Sequence, residues 1–374
     1  MAAGYSLKDQ LFNTEKVRYL AGLFGAADPA FDSASFERQV MTRLLDLELK
    51  QRIQWIADCL SAALTGPLPE TAPLLRAAMP PPLDPTLTDN DFGDFIFAPL
   101  GEYVVAAGLE DHPELSLDLL ADITQRFSME WAIRPFLNRW PDLVLTRMQI
   151  WAQHPSYHVR RLVSEGTRPR LPWGQGVALQ LDQPLDLLDS LHADQTRYVT
   201  RSIANHLNDI TKKDPALAMD RLDHWASQKT QSQKELDWMT SHALRGLVKS
   251  GHPRALKMLG FDPDADMACT INIKSGPVQI GGMLQFECCV LAQHDTPVLV
   301  DYLIWFRKAD GSERAKVFKL KKSVVSAKHP LTIEKSHRLK GDATTFRLFP
   351  GAHRVELQVN GKVHDCAAFD LTQP

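Results

Sequence analysis

Four stretches of this sequence carry an arginine within an amphipathic run: SMEWAIRPFL, SYHVRRLVSEG, TRYVTRSIANHL and SHALRGLVKSG, anchored on Arg134, Arg161, Arg201 and Arg245. Residues four apart share a helix face. Asn138, Glu165, Asn205 and Lys249 therefore follow their anchors on one side, and Glu130 precedes Arg134 by one turn. The chemistry on offer is charge, with guanidinium groups that can meet an anion and carboxylates that can meet a cation. Stacked in an array, these residues would form a polar stripe along one side. The same spacing also makes an ordinary solvated face with i,i+4 pairs such as Glu130–Arg134.

Other chemistries lack their residues. The chain has no P-loop, no GxSxG elbow and no HExxH. Gly174-Gln-Gly176 does not complete a dinucleotide fingerprint and sits in a Pro/Gly loop rather than after a strand. His154 and His158 are four apart, but Pro155 lies between them and no third ligand is evident, so no metal site is assigned. Cys288 and Cys289 are adjacent in a strand-like run and must point to opposite faces, which rules out a shared metal or an ordinary bridge. No cofactor is expected.

The elements that would position the arginines are helices. Residues 1–66 read as helical, and MPPPLDPTLTDNDFGDF (79–95) reads as a proline-rich connecting loop. From Leu100 to about Gly260 the sequence falls into helix pairs. The anchor intervals of 27, 40 and 44 residues fit two-helix HEAT-type units, the first one trimmed. After the linker FDPDAD the pattern changes to short alternating runs: CTINIKS, MLQFECCVLA, VLVDYLIWF, AKVFKLKKSVV and HRVELQVNGKV. ADGS and Asn360-Gly361 are the turns between them, the latter a two-residue hairpin signal. The predicted fold class is mainly α: a HEAT-like α-solenoid over 1–261, then an immunoglobulin-like β-sandwich over 262–374. The Cys…Trp…Cys spacing of antibody domains is lacking, so only the architecture is implied.

Of the 374 residues, 42 are Lys or Arg and 45 Asp or Glu, a net charge of −3 that hides an asymmetry. Residues 1–119 hold 8 basic against 18 acidic side chains, whereas Trp305 to Arg347 holds 12 against 4. A local basic run points to a polyanion partner more than the overall charge does, although a solvated strand surface would look alike. If it meets such a polyanion, the sandwich is expected to clamp it across from the helical groove. No apolar run reaches the length of a membrane span. MAAGYSLKDQ lacks the basic head and apolar stretch of a secretory signal. Five cysteines without a CxxC pair suit free thiols in a reducing cytoplasm.

FSMEWAIRPFL (127–137) and HVRRLVSEGTRPRLPW (158–173) resemble the signature stretches of HEAT-like DNA alkylation repair proteins. SIANHLNDITKKDP (202–215), W…HALRGLVKSG (238–251) and DFGDFIFAPLGEYV (91–104) are also similar. A sandwich containing LFPGAHRVELQVNG (348–361) is the appendage that sets AlkC-type members apart from shorter AlkD-type ones. The resemblance covers nearly the whole chain and is most specific over 91–260.

This resemblance implies a monofunctional DNA glycosylase that hydrolyses the N-glycosidic bond of 3-methyladenine and 3-methylcytosine in duplex DNA. Its partner would be double-stranded DNA containing alkylated bases. It would act as a monomer associated with the nucleoid, and without taking the base into a pocket. An N3-methylated base is already cationic and needs no proton to leave. What must be stabilised is positive charge at C1′ of the sugar. The family's acidic positions correspond to Glu130 and Glu165. Arg134, Arg161, Arg168 and Arg170 would grip phosphates, and Arg201, Asn205, Asn208 and Arg245 would extend the DNA-binding row. Trp131 and Trp173 would either lean on the sugar or base or pack in the core. Glu130→Gln and Glu165→Gln are each expected to lose most excision of 3-methyladenine while still binding DNA and melting near the wild-type temperature. No motif marks a Schiff-base lysine, so the product would be an uncleaved abasic strand. The alternative is a non-catalytic HEAT-repeat damage binder or protein scaffold.

Overall fold

The computed structural model describes residues 6–87, 89, 91–341 and 346–373. The chain's first five residues and Asp342 of the basic run therefore lie outside the described residues. The chain divides into two compact units, Met1–Ala243 and Leu244–Pro374.

The first unit is helical. Its α-helices are α1 (Leu7–Leu11), α2 (Thr14–Ala27), α3 (Ser33–Met41), α4 (Leu49–Ala63), α5 (Leu68–Ala77), α6 (Ala98–Gly108) and α7 (Pro113–Thr124). They continue with α8 (Ile133–Arg139), α9 (Pro141–Trp151), α10 (Tyr157–Gly166), α11 (Leu185–Leu191), α12 (Arg197–Ile210), α13 (Pro215–Gln228) and α14 (Gln233–Ala243). Proline at the first positions of α7, α9 and α13 starts those helices where the missing N–H is harmless. The described residues of the proline-rich stretch after α5 are non-helical up to a 3₁₀ turn at Phe95–Phe97. Helices α7, α10, α12 and α14 pack in succession, and this series carries the site. In α10, Val159, Leu162 and Val163 are buried, and Gly166 ends the helix against α8. A Cβ at Gly166 would stand 2.6 Å from Ile133 Cγ2, so close packing there requires glycine.

The second unit opens with two short helices, α15 (Arg245–Lys249) and α16 (Pro253–Met258), before the strands begin. Leu256 and Phe261 form a small core with Leu299 of the sandwich. Compactness thus groups residues 244–261 with the strands, where the change of sequence pattern had placed the division near 262.

The strands are β1 (Met267–Ile273), β2 (Val278–Gln279), β3 (Met283–Ala292), β4 (Thr296–Arg307), β5 (Glu313–Val325), β6 (Leu331–Arg338), β7 (Gly351–Val359) and β8 (Lys362–Thr372). They make two sheets, ordered β1-β3-β6 and β2-β8-β7-β4-β5. Leu284, Phe286, Cys288 and Val290 of β3 point into the core that Val300, Tyr302, Ile304, Val355 and Leu357 fill from the other sheet. Cys289 faces away from this core, as strand alternation requires. Asn360 and Gly361 both have positive φ, at 47° and 80°, and turn β7 into β8.

Candidate functional site

Glu130 does not lie on a helix. It sits in the turn between α7 and α8, where Ser128 donates to its Oε2 at 2.7 Å and Met129 N donates to Thr124 Oγ1 at 3.3 Å. Such side-chain bonds compete with helix formation, so the expected i,i+4 pair with Arg134 is absent. The partner of Glu130 is Arg161 of α10, whose NH1 donates to Oε2 at 2.8 Å and to Ser128 Oγ at 2.9 Å. Glu130 Oε1 accepts no hydrogen bond among the described residues.

From this pair a ladder of alternating charges runs into the protein. Arg161 NH2 lies 3.6 Å from Glu165 Oε2, one turn on. Glu165 Oε1 accepts from Arg168 NH1 at 2.6 Å, and its Oε2 from Ser202 of α12 at 2.7 Å. Arg168 continues to Asp209 of α12 at 2.9 Å, and Asp209 to Lys212 at 2.8 Å. The Arg161 guanidinium also lies 4.4 Å from the ring centre of Tyr198, a cation–π contact.

Accessibility falls from Glu130 to Asp209 and rises again at Lys212, the exposed far end. The Glu130 side chain is 18% exposed and that of Glu165 is 6%. Burial opposes the charge on Glu165. Arg161, Arg168 and the Ser202 hydroxyl overcome it and hold the carboxyl below its usual range. Burial likewise opposes the charges of Arg161 and Arg168, and their carboxylate partners override it and raise both. The arrangement favours the ionised form of Glu165 and leaves Glu130 the more accessible of the two carboxylates. Two histidines beside the ladder stay neutral, because burial pushes His158 and His206 down to about 4.

Several residues expected to meet phosphate are engaged inside the protein. Arg134 is 0% exposed. It donates to the carbonyls of Gly166 at 2.9 Å and Arg168 at 3.0 Å, and also to that of Gln175. It therefore pins the chain after α10 instead of gripping DNA. Burial, with the like charge of Arg168, lowers it to about 10. Arg161 and Arg168 are held in the ladder. Asn208 is buried and donates to Ala243 O at 2.8 Å, so it too is structural. Arg201 pairs with Asp89, and Asn205 Oδ1 lies 2.9 Å from His242 Nε2. Arg245 begins α15 in the second unit, so the fourth anchor of the supposed row is not part of the helical unit. Arg170 is exposed and forms no hydrogen bond or ion pair among the described residues.

The two tryptophans divide. Trp131 packs into an aromatic cluster with Phe95 and Phe127, at centroid distances of 6.4 and 6.2 Å. Trp173, 6.3 Å from Trp131, is 56% exposed and has a φ of 65°. Its loop is held from three sides: Lys50 donates to Trp173 O, Arg134 to Gln175 O, and Asn138 to Gly176 O. Asn138, read from spacing as part of the polar stripe, is a loop anchor.

Ser128, Ser202, Tyr198 and Asp209 were missed as members of the site. Asp209 had a signal, because it follows Asn205 by four residues and Arg201 by eight, on the helix face already traced.

Fold and site together define a two-unit protein, in which a helical unit holds a partly buried row of paired carboxylates and arginines and an immunoglobulin-like sandwich follows. Residues 268–373 match the family described as the C-terminal Ig-like domain of the uncharacterised protein YhaZ. The uncharacterised YhaZ of Bacillus subtilis strain 168 is 30% identical over 370 residues, covering 97% of this chain and 98% of that protein. A solved structure of Pseudomonas fluorescens alkylpurine DNA glycosylase AlkC, bound to DNA containing an abasic site analogue, is 32% identical with a TM-score of 0.85. That match covers 98% of this chain and all of the other. This chain belongs to the AlkC/YhaZ family.

Proposed function

We propose that this protein is a monofunctional DNA glycosylase that removes cationic N3-alkylated bases, 3-methyladenine and 3-methylcytosine, from duplex DNA at the first step of base excision repair. The observation that carries this reading is Glu130, a carboxylate fixed through one oxygen by Arg161 and Ser128 with its other oxygen uncommitted. The family relation to an alkylpurine glycosylase supports it.

The chemistry needs little more. The C1′–N bond breaks with its electrons returning to the base, which leaves neutral. Positive charge appears at C1′, where a preorganised carboxylate stabilises it. Water adds at C1′, and its proton passes to Glu130 or to solvent. Arg161 and Ser128 fix the carboxylate in advance, so little reorganisation accompanies the reaction. Glu165 acts one step behind, by orienting Arg161. The ladder fills the space around the carboxylates with the protein's own side chains, which suits a base that stays outside a pocket. The succession α7, α10, α12, α14 suits an α-solenoid presenting this site along one face.

The test is release of free methylated base from methylated duplex DNA, followed by mass spectrometry, with the strand recovered intact. Release of 3-methyladenine and 3-methylcytosine is expected. Tight binding without release would make the protein a damage binder instead.

A further inference from the structure

The sandwich carries an aromatic pocket that the reaction does not use. It opens between β5 and β6, the edge strands of the two sheets, as a cavity of about 260 Å³. Phe306 from the end of β4, Phe318 from β5 and Phe346 supply its rings, with Phe306 and Phe346 6.2 Å apart. Lys316, Arg338 and Lys340 supply its charge, and no carboxylate lines it among the described residues. Lys316 Nζ stands 5.3 Å from the centroid of Phe318 and 5.1 Å from that of Phe346. His337, 4.6 Å from Phe318 and bonded to the Tyr302 hydroxyl at 2.8 Å, closes the inner side. Phe346 is itself partly exposed, although aromatic rings of this size normally bury their faces.

Phe318 stacks on Tyr302 by one face, and the partly exposed Phe346 stands beside cations that have no carboxylate partner among the described residues. This suits a ligand with a flat aromatic part and an anionic part, which describes a nucleotide. The rings take the base face and the cations take the phosphate. The cavity is smaller than most sites for drug-sized molecules, so it suits one base and not a base pair. Bases stacked within a duplex do not offer their faces, so such a pocket selects an unpaired nucleotide. We propose that the sandwich is a second nucleic-acid site that captures one unpaired nucleotide of a DNA strand on Phe318 and Phe346, with its phosphate on Lys316, Arg338 and Lys340. This rests on the reading of DNA as the partner, and it adds a preference for single-stranded DNA that the glycosylase reaction does not require.

The test uses the full-length protein and a single-stranded hexanucleotide bearing one 5-iododeoxyuridine. Irradiation and peptide mapping are expected to place the adduct on Phe306, Phe318 or Phe346. By fluorescence anisotropy, Phe346→Ala should weaken hexanucleotide binding about tenfold, the scale of one lost base–aromatic stack. Phe346→Trp should restore it. Lys321→Ala, an exposed cation of β5 outside the pocket, and fully paired duplex should each change by less than about twofold. Adducts confined to residues 1–243, or unchanged binding by Phe346→Ala, would overturn the proposal. An equal loss for duplex and single strand would also overturn it, because it would show a general basic surface. Base release from methylated duplex, measured on the same samples, reads the glycosylase assignment separately. Adducts without release would remove that assignment and keep the pocket, and release without sandwich adducts would do the reverse.

Discussion

Glu130 and Glu165 are not equivalent, and Gln substitutions should separate them. Glu165→Gln takes one charge from a buried ladder and leaves Arg161 and Arg168 partly uncompensated. Breaking a buried pair from one side costs about 3–5 kcal/mol. Glu165→Gln is therefore expected to lower the melting temperature by several degrees as well as the rate. This replaces the expectation from spacing alone that both variants would melt like wild type. Arginines divide in the same way. If Arg170 meets a phosphate, Arg170→Ala should reduce the slope of log affinity against log salt by about 0.9. Arg161→Ala and Arg168→Ala should leave that slope unchanged while losing activity and stability, and a reduced slope in either would return them to phosphate contact. Charge type was legible in the sequence, but the inward or outward direction of each arginine was not. The partners that decide it lie 31 to 41 residues away, as in Glu130–Arg161 and Arg168–Asp209.

Helix α10 delivers Arg161 and Glu165, and the loop after it delivers Trp173. Arg134→Met would leave the carbonyls of Gly166, Arg168 and Gln175 without their donor, at roughly 1–3 kcal/mol for each one that stays buried. Limited proteolysis should then cut within residues 167–184 faster than in wild type, and an unchanged digestion pattern would deny the loop-pinning role. The same helices set an acid limit. His206 Nδ1 lies 3.1 Å from Ser164 O, which can only accept, so the neutral ring donates from Nδ1. With folded values near 4 for His158 and His206, the unfolded chain binds protons from about pH 6.5 downward and the folded chain does not. Stability should therefore be full above that pH and fall between about 6.5 and 4. His206→Asn should flatten this fall in melting temperature, and an equally steep curve would clear His206 of the effect. At this scale the sequence was informative where apolar alternation was clean, as in β3 and β7. Strand β6 was missed because its inward positions include Lys335 and His337 beside Leu331 and Ile333. Glu130 was read as helical because helical spacing takes no account of the Ser128 bond that holds it in a turn.

Across the whole molecule, the two units set where the chain can be cut. A fragment ending at Ala243 should stay soluble and unfold cooperatively. One ending at residue 261 would carry Leu256 and Phe261 without Leu299 and should aggregate more readily. Equal solubility of the two fragments would show that α15 and α16 do not depend on the sandwich. The change of composition near residue 262 marked the first strand but not the compact boundary, since the two preceding helices contribute apolar side chains to the second core. All these parts bear on one claim, that Glu130 faces a sugar cation on DNA. The most direct measurement is single-turnover release of 3-methyladenine from duplex DNA with enzyme in excess, comparing wild type with Glu130→Gln at matched DNA affinity and melting temperature. Wild type is expected to release the base, and the variant to do so about 10²–10³ more slowly, the usual cost of one preorganised electrostatic group. Release by Glu130→Gln at the wild-type rate, or no release by either protein, would contradict that claim.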